Sequence, residues 1–68
     1  MIKYYKETES NEVIAVFFNT LNKGILDIYS PTDKMQRATY GYIVSLPEAE
    51  KNEAKKMKKK LIKLGVIE

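Results

Sequence analysis

Residues 12–18 read EVIAVFF, Glu12 to Phe18, and the reading of this stretch decides the architecture. It contains the longest apolar run in the chain, Val13 to Phe18. β-Branched and aromatic side chains dominate it, and these fit the pleated surface of a sheet better than the crowded turn of a helix. As a strand it is apolar on both faces: Val13, Ala15 and Phe17 point one way, Ile14, Val16 and Phe18 the other. Such a strand is central and covered twice, or covered once and closed by an oligomer contact. The same residues also fit a helix from Asn11 to Lys23 stopped by Gly24, since Ile14, Phe17, Phe18 and Leu21 follow an i, i+3, i+4, i+7 pattern. Three β-branched residues within four positions weigh against that helix and favour the strand.

Working outward, IKYYK (2–6) is rich in strand formers, and the polar ETESN (7–11) between it and the central run predicts a hairpin. On the other side, NTLNKG (19–24) reads as a turn and ILDIY (25–29) as a third strand. SPTDK (30–34) permits two readings. Pro31 suits position i+1 of a tight turn before a fourth strand, and Ser30 with Asp33 suits the start of a short helix. ATYGYIVSL (38–46) favours a strand, because Thr39, Tyr40, Tyr42, Ile43 and Val44 all prefer one.

The C-terminal third predicts a helix from about Leu46 to Leu64. Ser45 and Glu48 have the spacing of a capping box, Pro47 is tolerated in a first turn, and Gly65 supplies a left-handed stop after which Val66 or Ile67 folds back. Ala54, Met57, Leu61 and Leu64 form one narrow apolar stripe, extended upstream by Leu46 and Ala49, as for a helix lying on a sheet. The expected fold is therefore α+β. A small antiparallel sheet of three to four strands, in the order ββββα, carries one amphipathic C-terminal helix, all in a single domain spanning 1–68, with 1–45 mainly β and 46–64 helical.

Size and composition narrow the function. At 68 residues, with no cysteine and no histidine, the chain has neither a disulfide staple nor an ordinary zinc site. Small scaffolds of this kind need dense packing or a partner chain, which makes a homodimer a serious expectation. The longest apolar run is far short of the roughly 20 residues of a membrane-spanning helix. The start, MIKYYKETES, has no apolar core of a secretory signal; the cytoplasm is the default expectation for location. His and Cys, the most versatile catalytic side chains, are missing. Ser10, Ser30 and Ser45 sit beside turns or a helix start, and Gly24, Gly41 and Gly65 are too dispersed for a phosphate loop. Catalysis, a metal and a cofactor are not expected.

The net charge of +3 lies entirely in the last third: residues 1–46 balance five cations against five acids, and 47–68 hold seven lysines against four glutamates. At 100° per residue, Lys55, Lys56, Lys59 and Lys63 share one arc opposite the Met57, Leu61 and Leu64 stripe, flanked by Lys51 and Lys58. That face suits a phosphate backbone, and equally an outer face in water. Arg37 is the only guanidinium, and Tyr5, Tyr40 and Tyr42 are candidates for stacking or an interface. Ile14, Val16 and Phe18 are the candidate self- or partner-interface, because one helix covers only one face of a sheet. The functional expectation is a small non-enzymatic interaction module that binds a protein partner or itself through a sheet face or edge. The alternative is a nucleic-acid-binding domain using the lysine helix and exposed tyrosines. A membrane-surface role is not expected, since the apolar stripe lacks Trp and Phe and is needed to close the fold.

Overall fold

The computed structural model describes residues 1–68. β1 (Ile2–Lys6), β2 (Val13–Asn22), β3 (Ile25–Ser30) and β4 (Lys34–Thr39) form one antiparallel sheet in sequential order, followed by a short helix α1 (Tyr40–Val44) and a longer helix α2 (Lys51–Lys63). The α+β architecture with its C-terminal helix on the sheet is as the hydrophobic pattern predicts. Val13–Phe18 open β2, an inner strand and the longest, and the helical alternative for 11–23 is excluded.

The turns follow local chemistry. The β1–β2 connection closes with Glu7 N–H donating to Glu12 O at 2.8 Å, and Asn11 takes a positive φ of 61°. β2 runs on to Asn22, so the expected turn over 19–24 shrinks to Lys23–Gly24 (φ 53° and 78°), the two-residue hairpin in which both central positions need positive φ. The pairing with β3 shifts between Phe17 and Asn22. There Thr20 Oγ donates to Phe17 O at 2.7 Å and accepts from Asp27 N–H at 2.8 Å, filling the gap in the ladder. Residues 31–33 turn rather than coil, with Ser30 Oγ accepting from Asp33 N–H at 3.0 Å.

Two expectations are corrected. Residues 40–44 are helical, not extended: Thr39 ends β4 and caps α1, its Oγ accepting from Tyr42 N–H at 3.4 Å. Leu46 bends back on α1 and Pro47–Ala49 run along the edge of β1, so none of them forms the first turn of the long helix, which begins five residues later than the Ser45–Glu48 spacing suggests, at Lys51. One physical reason covers both. Packing overrides propensity: β2 is apolar on both faces, and a layer must be found for each. α1 places Ile43, with Leu46 beyond it, on Tyr5, Ile14, Val16, Leu26 and Ile28. α2 places Met57 and Leu61 on Ala15, Phe17 and Tyr29 of the other face. Leu46 thus belongs to the opposite layer from the α2 stripe it was expected to extend.

Between the layers the chain passes around the edge of β1. Lys6 N–H donates to Pro47 O at 2.9 Å and Ala49 N–H to Tyr4 O at 3.0 Å, with Glu48 opposite Tyr5. Pro47 is suited to this seam, where it accepts and needs no N–H. At the far end, Leu64 is not pressed inward as its spacing implies: it is the C-cap residue and 55% exposed. Gly65 (φ 77°) reverses the chain, Val66 N–H bonds Leu61 O at 2.9 Å, and Val66 and Ile67 pack on the α2 layer in its place.

Candidate functional site

The two layers use up most of the sheet, and what remains free is specific. Ile14 and Val16 are fully buried under α1, so the mate expected to cover them is supplied by the chain itself. Phe18 is half-buried, meeting Tyr5 and Tyr40 at ring-centroid distances of 6.3 Å each, with Lys3 Nζ 5.9 Å from its centroid. Tyr5 is buried and offers no stacking surface. Tyr40 and Tyr42 are exposed, but on α1.

The sheet has two unlike edges. The β1 edge is covered from Tyr4 to Lys6 by residues 47–49. The β4 edge pairs with nothing beyond β3. The phase of its ladder is fixed by Tyr40 N–H, which donates to Gly24 O at 2.8 Å just past the Ile25–Thr39 pair. That bond makes Ile25–Thr39 a non-hydrogen-bonded pair, so Leu26–Ala38, Ile28–Gln36 and Ser30–Lys34 carry the ladder. The backbone N–H and C=O groups of Met35, Arg37 and Thr39 therefore point outward from the sheet.

The side chains of those three residues lie on the α2 face, in register with Tyr29, Asp27 and Ile25. α2 packs over β1 and β2 and leaves the β3–β4 half of this face largely uncovered. Ile25 is 46% and Met35 49% exposed, and between them Arg37 Nε lies 4.0 Å from Asp27 Oδ1 in a solvated pair. Exposed pairs of this kind add little stability. A shallow hollow lined by Thr20, Asn22, Lys23, Ile25, Leu26, Asp27 and Arg37 adjoins this half-face. An open strand edge thus runs beside an apolar and cationic shelf. Neither could be found by residue type alone: the residues of β4, KMQRAT, alternate too weakly to mark an edge.

The second free surface is the outside of α2. Lys51, Lys55, Lys56, Lys58, Lys59, Lys60 and Lys63 are all exposed, and none has a carboxylate within ion-pair distance. The protein's ion pairs are Lys6–Glu53 and Arg37–Asp27. Four like-charge i, i+4 contacts (51–55, 55–59, 56–60 and 59–63) each cost about 0.2–0.5 kcal/mol. Burial of Met57 and Leu61, worth about 1.5–3 kcal/mol apiece, offsets them. Lys60 and Lys63 also suit the last turn, where the helix dipole favours cations. No group of three acidic side chains is placed to hold a metal ion.

No protein-family model matches the chain, and no curated protein or solved structure matches it either.

Proposed function

We propose that this protein is a small non-enzymatic binding module that takes an extended segment of a protein partner along β4. One observation carries the reading: the chain seals one edge of its sheet with Pro47–Ala49 and leaves the other bare, beside exposed Ile25 and Met35. An added strand would hydrogen-bond to the outward groups of Met35 and Arg37 and lay alternate side chains on the uncovered half-face. Lys34 and Arg37 favour acidic residues in that segment. They also blunt indiscriminate edge pairing.

The test uses proline as an edge probe. In Arg37→Pro the lost N–H is an outward one, so the ladder to β3 is kept. Peptides selected from a random displayed library on the immobilised protein are titrated against Arg37→Ala, which keeps the N–H, and against Arg37→Pro. Peptides that bind Arg37→Ala at least tenfold more tightly than Arg37→Pro support strand addition at β4. Peptides indifferent to the proline would place recognition elsewhere and end this reading.

A further inference from the structure

The lysine face of α2 takes no part in strand addition at β4, and the structure gives it different chemistry. We infer that the outer face of α2 binds the phosphate backbone of double-stranded nucleic acid, without reading sequence. Lys55, Lys59 and Lys63 stand in one row, four residues and about 6 Å of rise apart. Lys56 lies alongside them in the same arc, opposite the buried Met57 and Leu61. None of these ammonium groups forms an ion pair within the chain, and the acid that Lys56 feels, Glu53, is engaged by Lys6. Lysine is a point charge that neutralises phosphate and positions a protein on a backbone.

The layering decides between duplex and single strand. Single-strand binders combine a basic groove with aromatic rings on which bases stack. Here the exposed rings of Tyr40 and Tyr42 belong to α1, on the opposite side of the sheet from α2, and Tyr5 is buried. On the α2 side Phe17 and Tyr29 are buried and Tyr4 is half-buried in the cluster beneath the helix, so no fully exposed ring stands beside the lysine row, which leaves a charge-only footprint suited to a duplex. The layering also argues against a lipid surface. Met57 and Leu61 face the sheet, and only Ile62 and Leu64 remain as large exposed apolar side chains on this helix and its cap. That is too little to insert into a bilayer.

The experiment is fluorescence anisotropy with a labelled 20-base-pair DNA duplex between 50 and 200 mM salt. Engagement of three lysines predicts a log–log salt slope of about −2.7, so affinity falls roughly 40-fold across that range. Two triple variants carry the same net charge of zero, since each removes three of the +3. Lys55→Gln/Lys59→Gln/Lys63→Gln is expected to flatten the slope and weaken binding at least tenfold at 50 mM. Lys3→Gln/Lys23→Gln/Lys34→Gln, away from α2, is expected to stay within about threefold of the wild type on the same counterion argument. Equal losses in the two variants would show a net-charge effect and overturn the assignment. So would absence of duplex binding at 50 mM, tighter binding to the single strand of the same length, or binding to anionic phosphatidylserine vesicles without binding to the duplex. Because the Lys55/Lys59/Lys63 variant leaves every residue of β4 in place, failure here leaves the strand-addition reading standing, and Arg37→Pro likewise leaves the α2 lysines in place.

Discussion

Glu53 joins α2 to the sheet with one carboxylate: Oε2 lies 3.1 Å from Lys6 Nζ on β1, and Oε1 accepts from Glu50 N–H at 3.5 Å. The same side chain thus closes the N-terminal cap of α2 and ties that end of the helix to the strand on which it rests. It stands in the first turn, where the helix dipole also favours an acid.

The pH dependence follows. The hydrogen bond from Lys6 holds the Glu53 carboxyl below its ordinary value. The folded state therefore binds its proton later than the unfolded state as pH falls. The stability it contributes is present above the ordinary glutamate value of about 4.3 and is lost as pH drops through the folded-state value. Thermal melts from pH 7 to pH 2.5 should show Glu53→Gln melting below the wild type at neutral pH, with the gap closing in acid. A gap of constant size across that range would show that the Lys6–Glu53 pair carries no net stability.

Leu61 and Leu64 look equivalent as members of one stripe, yet Leu61 is fully buried and Leu64 is over half exposed. Leu61→Ala should cost about 2–5 kcal/mol in urea unfolding, the usual range for a buried leucine. Leu64→Ala should stay within about 0.5 kcal/mol of the wild type, as for a surface site. Equal losses would mean that α2 is rotated from the orientation described.

The ladder phase at β4 makes a sharper prediction. Gln36 pairs with Ile28 through hydrogen bonds, whereas the N–H of Arg37 faces out. Gln36→Pro should destabilise the fold by about 3 kcal/mol or more, on the scale of proline inside a hydrogen-bonded element. Arg37→Pro should preserve the native near-ultraviolet signal with a much smaller shift in midpoint. The opposite ranking would invert the phase and place the outward groups on Lys34, Gln36 and Ala38.

At the β2–β3 turn, Lys23 adopts a left-handed conformation that costs an ordinary L-residue about 1–2 kcal/mol. Asn tolerates it better, and Asn-Gly is the favoured pair for this turn. Lys23→Asn should raise the urea midpoint by up to about 1 kcal/mol in stability. Gly24→Ala should lower it through conformation alone, since no atom lies within 4 Å of the added Cβ.

The strands were legible where composition and burial agree. The β-branched run of β2 and the Lys23–Gly24 turn are strong local signals, and the Met57 and Leu61 stripe marks the buried side of α2. The segment from Tyr40 to Ala49 was not legible, because its local preferences oppose its use. Tyr40–Val44 has strand propensity but is needed as a lid for Ile14 and Val16. Ser45–Glu48 has the spacing of a cap, but Glu48 is opposite Tyr5 at the sheet edge. The true cap, Glu50 with Glu53, has the same three-residue spacing and could be recognised only once residues 47–49 were assigned to crossing β1. Of the candidate site residues, the α2 lysines and Arg37 are at the surface as their types suggest. Tyr5, Ile14 and Val16 are inside because the chain covers its own second face.

The seam at Pro47–Ala49 sets a ceiling on self-assembly. Were two copies to join β4 to β4, both outer borders of the resulting eight-stranded sheet would be β1 borders already occupied from Tyr4 to Lys6, which opposes growth beyond a pair. A meander left bare on both sides could recruit copies without limit and extend into a fibril. Three residues of strap raise the barrier to such a polymer from the native state.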